Sequence, residues 1–599
     1  MRNLSDPEKE IVEAVSPERL MTDTEAIARW TRLSGTQEER ESFDYVEDVL
    51  RDLGLQTTRH AGWAYISLPE GAELSVGGVE VPAITHSMVP QTPEGGLELP
   101  LVYVGQGTPE DYAAKDVRGK AVLAEGIAIP GKAQAAEDAG AAVCIFANAD
   151  EHVHEMIVST VWGSPTSETR DELPRIPVAS VNVTGGEMLR EALGENDSPT
   201  VRLRTRVCTR WTEIPTLTVQ VDGAEEPERF VLLSGHIDSW HHGAMDNGSA
   251  NALMLETLRV LLPHKETFRR SLRLAFWSGH SHGRYAGSTW YADNFWEDLH
   301  DNCVLHLNAD STGGRGATVV TEGQAMAETR GVAIDVVRAL TGEEFNGSRF
   351  GRSGDQSFMS LGVPSLFMFV SEQPPGQDES AGDVAELLGG PGAKGGGVGW
   401  WWHTTEDTVD KIDPDLLVRD TRIFAAATYR FLSEAMLPLD VRASAQELLA
   451  HFEGWRERAQ GRFDLSTAVS RARGVADLAD DLQMRLEAAG DETEVARGFN
   501  EAVRRAESGL VRLNYVESDL YGQDPALGQP PVPLLLPIDD LLLSEAGSDA
   551  DHENTTLLVR RRNRILHELS EVERALRDGL ALLGSGPVAS PRGRGESMG

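Results

Sequence analysis

From about residue 214 the chain alternates short apolar runs with amphipathic segments, and no other feature constrains the fold so tightly. The runs LTVQV, RFVLLSGHID, LRLAFWSG, CVLHLNAD and PSLFMFV do not show the in-and-out alternation of a half-exposed strand. NALMLETLRVLLP, the stretch after FWSG, and AETRGVAIDVVRALTG separate them and suit helices. Apolar strands divided by amphipathic helices predict an α/β fold with a mostly parallel central sheet and helices on both faces. Upstream, the first 60 residues read as helices: Phe43, Val46, Val49, Leu50 and Leu53 fall at helical spacing, and Gly54 follows as a stop.

Two other regions differ in character. Residues 98–203 hold short β-runs (LPLVYVG, KAVLAEG, AVCIFAN, PVASVNV) separated by segments such as KAQAAEDAG, and read as a β-rich insertion. After about 436 long helical stretches dominate, interrupted by DPALGQPPVPLLLPIDD, and the chain ends in GSGPVASPRGRGESMG, read as a disordered tail. The expected divisions are 1–97 and 204–435 as two parts of one domain, 98–203 as the insertion, 436–584 as a helical domain and 585–599 as the tail. Residues 374–400 form a Gly/Pro-rich loop long enough to suggest a lid.

Composition limits the setting. With 599 residues, 40% apolar and 25% charged, the chain can bury a large core, which excludes wholesale disorder. It contains no run of about eighteen apolar residues, and its first residues, MRNLSDPEKEIVEAV, lack a basic start followed by an apolar run. The net charge of −40 repels nucleic acid and anionic membranes. Cys144, Cys208 and Cys303 lie too far apart in sequence for a disulfide scaffold or a cysteine-built zinc site, so a cytoplasmic setting is expected.

Four separated segments end a predicted strand, or open the loop after one, with candidate metal ligands. They carry His236, Asp238 and Asp246; His280, Ser281 and His282; Asp310; and His403. In open α/β sheets ligands bind at the carboxyl ends of the strands, so the four segments would converge. Imidazoles mixed with carboxylates suit zinc or a similar divalent ion better than calcium or magnesium. A lone histidine at a strand end is usually structural, but His236 followed by Asp238 reads as a ligand and the carboxylate that orients it.

The spacing His236-x-Asp238-Ser-Trp-x-x-Gly243-x-x-Asp246, with FWSG, AGSTWYAD, NAD, SGDQSFMSLGVPS and HTTEDTVDKID, resembles the co-catalytic zinc aminopeptidase and glutamate carboxypeptidase family. The likeness is to the glutamate carboxypeptidase II branch, which includes the transferrin receptor. It covers roughly residues 15–435. The 98–203 insertion resembles that branch's protease-associated domain, and the helical part resembles its dimerisation domain. The resemblance implies one or two divalent ions, zinc first and manganese or iron next. It places His236 and Asp310 on one ion, His403 on the second, Asp246 between them and Asp238 behind His236. A small peptide or amide substrate and a homodimer are implied as well, with no nucleic-acid or membrane partner.

The sequence departs from the family at one decisive place. Active members carry a Glu-Glu pair after the third strand, one as general base and one as ligand; here neither is present. Anchoring on FWSG puts His280 and Ser281 there, whereas anchoring on Gly287-Ser288-Thr289 puts Ser281 and His282 there. The strand anchor is preferred because register is better fixed in a strand than in a loop. His280 then becomes the candidate catalytic group with Asp238, and His282 a candidate ligand. Trp402 stands where glutamate carboxypeptidase II has the tyrosine that stabilises the oxyanion. The expected activity is metal-dependent hydrolysis of an amide or peptide bond at an altered site; the alternatives are a silent, transferrin receptor-like scaffold or a metalloenzyme turned to a non-peptide substrate. Five further residues stay open: His241 and His242 near the ligands, Asp355 as a helix cap or pocket residue, and Arg284 with Arg352 as carboxylate binders or surface ion pairs.

Overall fold

The computed structural model describes residues 3–195, 198–376, 384, 396–489 and 496–583. The expected tail and most of the 374–400 loop lie outside them. Contacts divide the chain into two units, residues 1–433 with 518–530, and residues 434–517 with 531–599.

The first unit opens with helices Asp6–Glu13, Pro17–Ile27 and Gln37–Asp52, each begun by a hydroxyl cap, Ser5, Ser16 or Thr36. These side chains accept backbone N–H groups that the first helical turn leaves unpaired. The third helix buries Phe43, Val46 and Leu50.

Eleven strands follow: β1 (Thr57–Val76), β2 (Val79–Val81), β3 (Ile84–Thr85), β4 (Leu97–Gly105), β5 (Ala121–Glu125), β6 (Val143–Ala147), β7 (Val178–Val181), β8 (Thr200–Val221), β9 (Glu226–His236), β10 (Arg270–Trp277) and β11 (Cys303–Asn308). Their order is β11-β9-β10-β8-β4-β5-β6-β7-β3, with β1 alongside β8. Two parallel blocks are present, β10-β9-β11 and β4-β5-β6-β7. Between them β1 and β8 form a long antiparallel ribbon, from Thr57 opposite Val219 to Val76 opposite Val201. The ribbon is antiparallel because β1 leads the chain out to the insertion and β8 brings it back. β4 joins the blocks: Leu97–Pro100 pair with β8 and Leu101–Gly105 with β5.

PSLFMFV, expected as a strand, makes only single bridges, Ser365 to His306 and Leu366 to Ala325. Phe367 takes φ 60°, a left-handed turn that interrupts any ladder. Helices Ala250–Leu261 and Pro414–Ser433 pack on β9, and Ala286–Asn294 on β1 and β8. Phe230, Leu232, Trp277 and Phe358 belong to a core beside the parallel strands, and Leu101, Leu123, Ile145 and Leu203 to a separate core in the insertion.

The second unit is helical. Its longest helix, Asp549–Leu582, buries Leu558, Ile565, Leu569, Val572 and Leu576 along one stripe at three- and four-residue spacing. It packs on Ser466–Ala489 and Ala496–Tyr515.

Candidate metal centre

Parallel register brings the strand ends to one edge: Trp277 lies beside His236, and Asn308 beside Ser234. Gly235 is required there, because a Cβ would stand 2.9 Å from the Ala309 carbonyl oxygen and 2.9 Å from Met254 Sδ. With no side chain at 235, β9 approaches the turn that carries Asp310.

Beyond these ends, His236 Nε2 stands 3.1 Å from Asp246 Oδ1 and 3.7 Å from Asp310 Oδ2. His403 Nε2 is 3.1 Å from the other Asp246 oxygen. His280 stacks on His236, with ring centroids 3.7 Å apart. His236, His280 and Asp310 each offer a ligand atom within 4.8 Å of the others. All five residues are buried.

The orientation of the rings carries the chemistry. His236 Nδ1 is 2.8 Å from the Asp238 carbonyl oxygen, and His403 Nδ1 is 2.6 Å from that of Glu155. His280 Nδ1 is 3.0 Å from Asp355 Oδ2. An imidazole that donates from Nδ1 presents a lone pair at Nε2, the form in which histidine binds metal. His236 Nε2 and Asp246 Oδ1 are also buried without a hydrogen-bond partner, despite their 3.1 Å separation. Two imidazoles and two carboxylates arranged in this way fit a divalent ion, which satisfies both kinds of donor at once. Without the ion, burial disfavours the charged ring of His236, but Asp238, Asp246 and Asp310 around it drive its pKa well above the usual value. Burial likewise opposes charge on Asp246, yet His236 and His403 hold its carboxyl well below the ordinary range. At His403 burial wins, and the pKa falls.

Asp238 is the hub beneath the cluster. It accepts the backbone N–H groups of His280 (3.3 Å) and Ser281 (2.8 Å) and the Ser34 hydroxyl (2.6 Å). Residues 280–282 therefore wrap around its carboxylate. The wrapping directs His280 to the cluster and His282 elsewhere: His282 Nδ1 lies 3.0 Å from Ser34 Oγ, and its ring packs against Trp240. The structure thus does not bring the expected ligand His282 to the site, and burial lowers its pKa to about 4. His242 Nδ1 instead faces the Ala28 carbonyl. Asp355 caps no helix; it pairs with His280 and accepts the Ser288 hydroxyl at 2.7 Å.

Further supports come from residues without a motif. Arg32, fully buried, donates to the carbonyls of Ile27, Trp30, Ile237, His242 and Gly243, binding the first helices to the loop between two candidate ligands. Asn247 bridges the Asp246 and Asp310 loops, donating to the Ala309 carbonyl and accepting from the Ser311 N–H. Asp407 accepts the N–H groups of Met245 and Asp246, and burial raises its pKa to about 7. Asn247 had a readable signal as the polar neighbour of Asp246, and Asp407 as part of HTTEDTVDKID; Arg32 lies about 200 residues from the segments it ties.

The cluster faces a cleft lined by Asp246, His280, Asp310 and His403 together with apolar side chains. Trp402 lines it too, stacked on His403 at 3.5 Å between centroids, and offers no hydroxyl there.

Comparison with known proteins agrees with this architecture. Residues 216–428 match peptidase family M28, and residues 97–189 match the PA domain. A probable glutamate carboxypeptidase VP8 of Zea mays is 26% identical over 504 residues, covering 72% of this chain and 69% of that protein. The probable lipoprotein aminopeptidase LpqL of Mycobacterium tuberculosis is 28% identical over 412 residues, covering 64% and 77%. Among solved structures, the zinc aminopeptidase BSAP of Bacillus subtilis shares the fold, with a TM-score of 0.51 at 22% identity over 72% of this chain and 97% of that one. The strand-end cluster thus lies in a region similar to peptidase family M28, residues 216–428, and the insertion in a region similar to the PA domain, residues 97–189.

Proposed function

We propose that the chain is a metal-dependent hydrolase of amide or peptide bonds whose centre uses His280 where the family's acidic pair is missing. The observation that carries this reading is the inward set of ring nitrogens around Asp246 and Asp310, with His236 Nε2 and Asp246 Oδ1 buried and unpartnered. His236, His280 and Asp310 would hold one ion, His403 a second, and Asp246 would reach both. The mixed nitrogen and oxygen donors favour zinc, with manganese or iron as substitutes.

An ion held by these residues would supply Lewis acidity, polarising a scissile carbonyl and lowering the pKa of water toward neutrality. The protein's own groups prepare that chemistry. Asp238 and the Glu155 carbonyl fix the rings of His236 and His403. Asp355 occupies His280 Nδ1, so Nε2 is the one nitrogen left to act, either as the ligand named above or, in place of that role, as the base that takes the proton released by water and passes it to the leaving amine. Overall, amide and water become carboxylic acid and amine. We further propose a homodimer in a reducing compartment, where Cys144, Cys208 and Cys303 persist as free thiols.

The test is metal analysis of the purified chain beside turnover of a peptide and amide panel. Stoichiometric metal, with metal and turnover both lost in His236→Ala, is expected. In His280→Ala, lost metal marks a ligand, whereas retained metal with a lowered kcat marks a proton carrier. A chain that binds no metal, with His403→Ala behaving as wild type, would make it a silent scaffold.

A further inference from the structure

Arg284, which lines the cleft, and Arg352 behind it are buried cations that metal chemistry leaves unexplained. Both are buried, at 2% and 7% exposure. Neither has an ion-pair partner among the described residues. Arg284 makes one hydrogen bond, 3.4 Å to the Ala526 carbonyl, and Arg352 one, 2.7 Å to the Asp524 carbonyl. Each guanidinium carries five N–H donors, and the Nε of each is buried without a partner. Aromatic faces hold them in place: Arg352 lies 3.8 Å over Trp162 and Arg284 5.1 Å over Tyr285. The backbone presenting Arg284 is unusual as well, since Arg284 and Tyr285 both have left-handed φ values of 53° and 69°. A buried, unpaired cation is costly and is retained where an anion arrives to complete it.

Arg284 lines the same cleft as Asp246, Asp310 and His280. The other walls include Met156, Ile157, Met368, Phe369 and Val398. Among the described residues the only carboxylates lining the cleft are Asp246 and Asp310, both in the proposed metal set, so none is left to receive a substrate ammonium. Burial lowers the pKa of both arginines, that of Arg352 to about 10 against the opposing charge of Asp524; a guanidinium keeps its charge at neutral pH.

We propose that Arg284, reinforced by Arg352, is a carboxylate subsite, and that the substrate is an N-acyl amino acid with an apolar acyl group and no free α-ammonium. The assignment rests on the hydrolase reading above and names its substrate. The acyl chain lies among the apolar walls and the carboxylate on Arg284. Water adds its oxygen to the acyl carbon, the C–N bond breaks, and the nitrogen leaves as the amine of the free amino acid with a proton from water. A fatty acid and an amino acid result.

Two measurements on the full chain test this separately from catalysis. In calorimetry on metal-free protein, N-octanoyl-leucine should bind roughly ten- to hundred-fold more tightly than its carboxamide, the worth of one charge-assisted contact. Arg284→Gln and Arg352→Gln should each reduce that ratio, with Arg284→Lys retaining part of it. On metal-loaded protein, kcat/KM should rank N-octanoyl-leucine above octanoyl-leucinamide and above leucyl-leucine. Equal binding of acid and carboxamide by the unaltered chain overturns the subsite, as does an undiminished ratio in folded Arg284→Gln. Selective binding of the acid without turnover sustains the subsite and counts against the hydrolase reading alone. Preferred turnover of leucyl-leucine overturns the substrate assignment.

Discussion

Each imidazole of the cluster has a reason for its direction, and the reason always lies at Nδ1. The Asp238 carbonyl, the Glu155 carbonyl and the Asp355 carboxylate occupy that nitrogen in His236, His403 and His280. Asp238 also pins two backbone N–H groups of the 280–282 turn. Asp238→Ala is therefore expected to weaken metal binding about ten- to hundred-fold, read by chelator competition; unchanged affinity would remove Asp238 from its supporting role. Arg32 acts on the backbone rather than on the ligands. Arg32→Met leaves five carbonyls without their donor and should cost about 3 kcal/mol or more in urea unfolding. His236, Asp238 and Asp310 were legible in the sequence because they end or closely follow β9 and β11, whereas Asp246, in Ala244–Ser249, and His403, in a turn, were legible only through the motifs that carry the resemblance. Choosing between His280 and His282 was not, because the direction of a turn depends on what it wraps.

At the scale of elements, the site exists because β9, β10 and β11 run parallel and end together. Gly235 makes the approach of β9 to the Asp310 turn possible, so Gly235→Ala should drive Cβ into the Ala309 carbonyl and separate His236 from Asp310. Metal affinity in that variant should fall at least about ten-fold while the chain stays folded, a cost typical of a misplaced ligand; full affinity would mean that the strand ends tolerate separation. The apolar runs predicted these parallel strands, but they did not reveal the antiparallel β1–β8 ribbon. Hydropathy reports burial, whereas strand direction follows from how the chain enters and leaves an insertion. The same limit applies to PSLFMFV, whose apolar pattern is satisfied by burial and whose ladder is broken at Phe367.

Across the whole molecule, buried histidines outside the metal centre link stability to pH. His86, just after β3, and His306 in β11 are buried neutral, with pKa values lowered by burial to about 3. Below about pH 6.5 the unfolded chain takes up protons that the folded chain refuses. The stability these rings contribute is thus present above that pH and lost as pH falls toward 3, by at most about 1.4 kcal/mol per pH unit for each ring. Urea unfolding at pH 7.5, 6 and 5 should show the decline, and His86→Gln should make it shallower; an identical slope would show that His86 takes no part. By itself the sequence determined the α/β class, the inserted segment and the polar groups that follow β9 and β11, because periodicity and local motifs are short-range properties of the chain. Tertiary structure alone decided that His280 faces the cluster while His282 turns to Ser34, that Arg32 ties the ligand loops, and that Arg284 and Arg352 lie buried with no ion pair among the described residues. Those outcomes depend on partners tens to hundreds of residues away, and only packing brings such partners within a few ångströms.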